Sequence, residues 1–128
     1  MATDAKLVGQ AVVTKTAAFP SVGVDLATRA PFFGIPLWMR VIYSAAATTA
    51  GAGTAVFIVS FSSDNITFVG VIRIPEASLV LSTTALAGEI FIPIAQGNAY
   101  RYARVELESI TGTNATVTYL ADVVEARP

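Results

Sequence analysis

The chain contains no cysteine and no histidine among its 128 residues. These absences exclude disulfide bonds, thiolate nucleophiles, imidazole bases and zinc sites built from Cys and His. Packing alone therefore stabilises the fold, and no cofactor is expected. Charged residues are also few, at 13% of the chain, against about 25% in soluble domains generally. So little charge cannot cover the whole surface, which predicts that another subunit or a larger assembly covers part of it.

Charge of either sign is nearly balanced, with a net charge of -1 and eight basic residues scattered from Lys6 to Arg127. This distribution predicts neither a nucleic-acid partner nor attraction to anionic lipid. No charged residue occurs from Val41 to Ser63, but serine, threonine and glycine interrupt the segment, so strand, loop and strand are expected there instead of a membrane helix. The N-terminus lacks the apolar core of a signal peptide, so synthesis in a cytoplasm is expected.

The stretch Ala87–Leu107 carries the clearest strand signals. Glu89–Ile94 is a short apolar run, and Ala99–Leu107 alternates two sets of side chains at period two. Gln96-Gly97-Asn98 between them is a loop signal, so the stretch predicts two strands joined by a turn. Because successive side chains leave a strand on opposite faces, the small apolar members of the second strand are expected to face the core, namely Ala103, Val105 and Leu107.

Other strand signals recur at regular spacing, with turn signals between them and no amphipathic helix. The predicted strands are Gln10–Thr16, Val22–Leu26, Leu37–Tyr43, Thr54–Ser62, Ile66–Pro75, a short one within Ala77–Ala87, and Ala115–Val124. Loops are predicted at Ala27–Pro36 and over the small residues Ala45–Gly53. About eight strands of this kind predict an all-β antiparallel sandwich, a jelly roll. Residues 10–128 would form one domain, preceded by an N-terminal arm of residues 1–9.

Motifs for catalysis or metal binding are weak. The run Gly51-Ala52-Gly53-Thr54 lacks the Gly-Lys-Ser/Thr of a phosphate-binding loop and is expected to be a flexible loop. Glu106 and Glu108 share a strand face, as a glycosidase pair would, but ordinary solvation explains them equally well. Scattered carboxylates without repeated Asp-x-Asp spacing predict no metal site, and these are Asp25, Asp64, Glu89 and Asp122. The chain is therefore not expected to be an enzyme.

A few aromatic and basic residues are candidates for contact with a partner. Phe32 and Phe33 lie on a predicted loop, where they either plug the end of the sandwich or touch a partner. Arg101, Tyr102 and Arg104 either bind an acidic partner or form internal ion pairs, with Glu76, Glu89 and Glu106 as possible acids. A carbohydrate-binding jelly roll would need aromatics on one concave face, and the available set is Trp38, Tyr100 and Tyr102.

Several short motifs resemble one family along most of the chain: the opening Met1–Ala5, Val24-Asp25-Leu26, Gly34–Trp38, Ala55–Phe57, Ser63-Asp64, Ala87-Gly88, Phe91-Ile92-Pro93 and Tyr100–Val105. Together they are similar to the jelly-roll capsid cement proteins of tailed bacteriophages, of the Bordetella-phage type. The chain departs from that family at Ala103, where a larger aliphatic residue is usual, and in its small-residue segment Ala45–Gly53.

The resemblance implies a structural virion protein on the outer surface of the phage head. Such a protein binds neighbouring major capsid protein subunits as a homo-oligomer, with a dimer favoured and a trimer possible, and strengthens the shell against internal pressure. Phe32, Phe33, Trp38, Arg101, Tyr102 and Arg104 are the candidate residues for the capsid or oligomer contact. The alternative is a carbohydrate-binding module of a phage tail or fibre.

Overall fold

The computed structural model of the chain describes residues 8–21, 23–25, 37–94 and 101–124. Strands account for most of them, and two of these strands are only two residues long. In chain order they are β1 (Val8–Lys15), β2 (Phe19–Pro20), β3 (Val24–Asp25), β4 (Leu37–Ala47), β5 (Ala50–Ser62), β6 (Val69–Ile72), β7 (Ser78–Leu81), β8 (Leu86–Ile94), β9 (Tyr102–Thr113) and β10 (Thr116–Val124), with a 3-10 helix at Pro75–Ala77 between β6 and β7.

The strands form two antiparallel sheets. Sheet A has the order β1-β10-β4-β8, and sheet B has the order β2-β9-β5-β6, with β3 also on β9 and β7 also on β5. Since β2 and β3 share one edge of β9, and β6 and β7 share one edge of β5, the ten strands fill eight positions, four in each sheet. Every connection between positions crosses from one sheet to the other except β5 to β6. This is the double Greek key of a jelly roll, which confirms the predicted fold.

The core lies between the inner faces of the two sheets. Tyr119 on sheet A meets Phe57 on sheet B edge-on, with ring centroids 4.9 Å apart. The predicted core residues of β9 are all inaccessible to solvent, namely Ala103, Val105 and Leu107. In the sequence, the predicted strand Thr54–Ser62 is apolar on both faces, which predicts a strand near the middle of a sheet. Strand β5 is indeed central in sheet B, and its second half is buried on both faces.

The two strands of Ala87–Leu107 form as predicted, but they do not pair with each other. Strand β8 pairs with β4 in sheet A, while β9 pairs with β5 in sheet B. The connection therefore passes from one sheet to the other, as jelly-roll topology requires. The predicted loop residues Gln96, Gly97 and Asn98 lie outside the described residues.

The predicted loop Ala45–Gly53 is wrong, because β4 runs to Ala47 and β5 begins at Ala50. Small residues belong to this strand for a steric reason: a Cβ on Gly53 would lie 2.1 Å from the carbonyl oxygen of Thr111 on β9. The segment that includes Gly51 is therefore paired strand and not a flexible loop. Among the described ranges, no helix has the length and apolar character needed to cross a membrane.

Candidate contact surface

Three of the predicted contact residues lie at the outer face of sheet B. Tyr102 and Arg104 are on β9, and Arg101 lies just before it. Arg101, just before β9, donates from Nε and Nη2 to the two carboxylate oxygens of Asp25, at 2.9 and 2.7 Å. This bidentate pair is exposed, and its hydrogen bonds raise the pKa of Arg101. Arg101 also lies over the half-buried ring of Tyr102, with 5.4 Å from Cζ to the ring centroid. Of the two alternatives for Arg101, an acidic partner or an internal ion pair, the structure shows the internal ion pair. Its acid is Asp25, which was not among the acids predicted.

Arg104 is held by three groups on the same face. Its Nε donates to the Ser60 hydroxyl at 3.2 Å, its Nη2 lies 3.6 Å from Glu106, and its Cζ lies 4.0 Å from the ring centroid of Phe68. The predicted pairing with Glu106 is therefore confirmed. Phe68 reaches Arg104 because the turn after β5 folds over sheet B.

The sequence Ser62-Ser63-Asp64-Asn65 is typical of a turn, and Asp64 fixes the turn that forms there. Asp64 Oδ1 accepts hydrogen bonds from the backbone amides of Ile66 and Thr67, both at 2.9 Å, and from the Ser62 hydroxyl at 2.8 Å. These donors lower the pKa of the Asp64 carboxyl, the Thr67 amide most. Asp64 is thus occupied in the turn.

The two carboxylates considered as a glycosidase pair, Glu106 and Glu108, form ion pairs with arginines on the outer face of sheet B. Arg73 forms an ion pair with Glu108, and its hydrogen bond lowers the pKa of that carboxyl. Together with the pairs of Arg101 and Arg104, this leaves the three described arginines of sheet B's outer face paired with three acids. Within the described ranges, no three acidic side chains come together as a metal site.

The outer face of sheet A has a different character. Arg40 on β4 donates from Nε and Nη2 to Asp122 on β10, at 2.9 and 2.5 Å. Asp122 is fully buried and the Arg40 side chain is 11% exposed. The hydrogen bond to Asp122 raises the pKa of Arg40. Burial lowers that pKa by a smaller amount, and the negative charges of Asp122 and then Glu89 raise it further.

Trp38 lies two residues before Arg40 on the same strand, half-buried, opposite Pro93 and Val124. It is thus in sheet A, whereas Tyr102 is in sheet B, so these two aromatics do not form one sugar-binding platform. Tyr100, Phe32, Phe33 and residues 1–7 of the predicted arm 1–9 lie outside the described residues, and the last two arm residues, Val8 and Gly9, belong to β1.

One side of the sandwich combines exposed apolar residues with a cleft. We define the β6–β8 flank as β6, the 3-10 helix and β7, which form the edge of sheet B, together with β8, the edge of sheet A. Val69 and Val80 on this flank are 47% and 74% exposed. The same flank has a cleft of about 320 Å³, whose lining includes Trp38, Ile74, Glu76, Glu89, Phe91 and Pro93.

The cleft could not be found from local sequence signals, because its walls come from three separate segments. The sequence indicates Glu76 and Glu89 as acids for ion pairs, Glu89 also as a metal-site carboxylate, and Trp38 as a candidate for a capsid contact or a sugar platform, but it does not bring the three together. The Arg40–Asp122 pair was missed for the same reason, since the two residues are 82 positions apart. An arginine within the apolar strand Leu37–Tyr43 was the one available signal.

Comparison with known proteins adds no family. No protein-family model matches the chain, and a search of curated proteins gives no match.

Proposed function

We propose that the chain is a capsid cement protein that binds the outside of a phage head and stabilises contacts between major capsid protein subunits. The observation that carries the proposal is the β6–β8 flank, which has exposed Val69 and Val80 on the edge of sheet B and a cleft with an aromatic lining beside the edge of sheet A. Apolar and aromatic residues on one surface are typical of a protein contact. The low charge content and the sequence resemblance support the same reading.

The flank is suited to a partner protein because the described arginines of the outer face of sheet B are already paired with acids. On sheet B, Arg73, Arg101 and Arg104 pair with acids of the same domain. A contact there would have to compete with existing ion pairs, whereas the flank offers apolar area that gains free energy on burial. The flank, with Trp38 in its cleft, is therefore assigned to the capsid contact.

Attachment would be strengthened by oligomerisation. A dimer with two flanks binds two capsid sites at once, so modest individual affinities give firm attachment. The symmetric contact between copies then uses another sheet face or edge. A dimer would fit two-fold axes of the shell, and a trimer would fit three-fold positions.

The test combines light scattering with co-sedimentation on expanded heads, stripped of decoration, from the phage that encodes the chain. A dimer or trimer that pellets with heads is the expected result. A monomer that stays in the supernatant would overturn the proposal, and specific binding on a glycan array would then favour the carbohydrate-binding alternative.

The flank assignment has its own variant. Val80→Asp places a charge in the proposed contact and should abolish pelleting with heads. The matched control is Ile66→Asp, because Ile66 is 82% exposed but lies in the turn over sheet B. Equal loss in both variants would contradict the assignment of the flank.

A further inference from the structure

The cleft of the β6–β8 flank has aromatic walls and an acidic rim. Trp38, Phe91 and Pro93 contribute apolar surface from sheet A, and Ile74 contributes it from the segment after β6. Glu76, in the 3-10 helix, and Glu89, on β8, add two carboxylates to the same lining. At about 320 Å³ the cleft is at the lower limit of small-molecule pockets, a size suited to one long side chain.

These two carboxylates differ from the other acids of the described chain. Asp25, Glu106, Glu108 and Asp122 each pair with an arginine, and Asp64 caps a turn. Within residues 8–21, 23–25, 37–94 and 101–124, Glu76 and Glu89 are the acids that form neither a salt bridge nor a side-chain hydrogen bond. The described acids that neither an arginine nor a turn engages by hydrogen bonds therefore lie together in the lining of the cleft, where the charge of Glu89 also acts on Arg40.

The chemistry of the cleft selects its occupant. An apolar side chain would remove water from both carboxylates without pairing them, which costs free energy. The occupant must therefore contact the apolar lining and also pair the carboxylates. A guanidinium does both, since it stacks on aromatic faces and donates in a planar fork to carboxylates. A lysine ammonium offers only a compact, more strongly hydrated charge.

We propose that the cleft binds an arginine side chain presented by the partner protein. The apolar lining, which includes Trp38 and Pro93 side by side on the outer face of sheet A, then contacts one flat face of the guanidinium, and Glu76 and Glu89 accept its hydrogen bonds. The identity of the partner as the major capsid protein rests on the proposed function, but the recognition of arginine by the cleft does not.

The first test uses the isolated protein, with Trp38 as reporter because it is the only tryptophan in the chain. N-acetyl-arginine amide is titrated while Trp38 fluorescence is followed, and the neutral isostere N-acetyl-citrulline amide is the matched ligand. We expect a saturable change with arginine and a much weaker one with citrulline. Equal responses to both ligands, or a stronger response to a neutral hexose, would overturn the proposal.

Charge-matched variants locate the site. Glu76→Gln with Glu89→Gln should weaken arginine binding by about three- to thirtyfold, as expected for loss of two partly exposed ion pairs. Glu106→Gln with Glu108→Gln changes the net charge equally on sheet B and should leave binding unchanged. Thermal unfolding of each double variant checks that the fold is intact, and equal weakening in both would contradict the cleft assignment.

Co-sedimentation with heads separates this proposal from the proposed function. Arginine binding by a protein that ignores heads would uphold the cleft and reject the cement function. Head binding that survives Glu76→Gln with Glu89→Gln, in a protein whose fluorescence ignores arginine, would reject the cleft and uphold the cement function. Loss of both activities in that double variant alone supports the two together.

Discussion

Asp122 is fully buried on the outer face of sheet A, where both of its carboxylate oxygens accept hydrogen bonds from Arg40. The two residues lie directly opposite each other on β10 and β4. A charged pair removed from water on the outward side of a sheet joins the two central strands of sheet A through their side chains as well as their backbones.

Replacing one member of this pair should be costly. Asp122→Asn leaves the Arg40 guanidinium against a neutral amide, and we expect the free energy of unfolding to fall by about 3–5 kcal/mol in urea denaturation. Asp25→Asn removes the equivalent acid from the exposed Arg101 pair and should cost much less. Equal losses would show that burial of the Arg40–Asp122 pair has no energetic consequence.

The double variant Arg40→Met with Asp122→Leu gives a further check on that pair. Because it removes both charges together, it should recover most of the stability that Asp122→Asn loses. A double variant no more stable than Asp122→Asn would mean that the shape of the two side chains matters more than their charges.

Tyr119→Phe should leave the protein as stable as before or stabilise it by about 1 kcal/mol. The Tyr119 hydroxyl is buried and has no hydrogen-bond partner in the described part of the chain, so its removal relieves a desolvation cost. Phe57→Leu, which removes the ring that Tyr119 meets edge-on, should instead lower the unfolding midpoint. Urea denaturation measures both, and a loss above 1 kcal/mol for Tyr119→Phe would reveal a missed partner.

Tyr119 also predicts a loss of stability at alkaline pH. Burial raises the pKa of Tyr119 to about 12, whereas the pKa of a tyrosine in an unfolded chain is about 10. The unfolded chain therefore loses its proton first, so the free energy of unfolding falls as pH rises from about 10 to 12, by on the order of 2 kcal/mol. Tyr119→Phe should lack this component, and wild-type and variant curves that run parallel from pH 9 to 12 would contradict it.

Gly53→Ala should destabilise the domain by about 1–3 kcal/mol. The added Cβ would meet the backbone oxygen of Thr111 at 2.1 Å, so β5 and β9 would have to separate. Gly51→Asn is the control, because Gly51 has a φ of +70° but open space around it, and asparagine tolerates that conformation. Thermal unfolding compares them, and a larger loss for Gly51→Asn would show that φ matters more than spacing.

Phe32→Ser with Phe33→Ser tests the loop contact predicted from the sequence. We expect weaker co-sedimentation with heads and an unchanged midpoint of thermal unfolding. Ile66→Ser is the control, since it removes an exposed apolar residue from the turn over sheet B. A fall in the unfolding midpoint would favour the alternative that both phenylalanines plug the end of the sandwich, and unchanged head binding would reject the contact.

Local patterns predicted what depends on local physics. Alternation at period two identified the buried side of β9, and two apolar faces identified β5 as central. The loop prediction for Ala45–Gly53 was wrong because small residues are common in loops, whereas here they let two strands approach closely. Residue propensities are averages over many proteins, so they do not include the specific approach of the Thr111 carbonyl to Gly53.

The candidate surface was less predictable because it depends on pairing between distant segments. Trp38 and Tyr102 share an aromatic character in the sequence, yet they belong to different sheets. Glu76 and Glu89 line one cleft only because the 3-10 helix lies beside β8. The composition predicts a partner for part of the surface, but it does not say which part.

The pairing of β1 with β10 affects how the domain is made. Val13 lies opposite Tyr119, so the first strand of sheet A has no neighbour until the last strand has been synthesised. Contacts this distant in sequence are slow to form. Sheet A therefore closes only after translation of β10, and until then the backbone N–H and C=O groups of β4 that pair with β10 are open to association with other nascent chains.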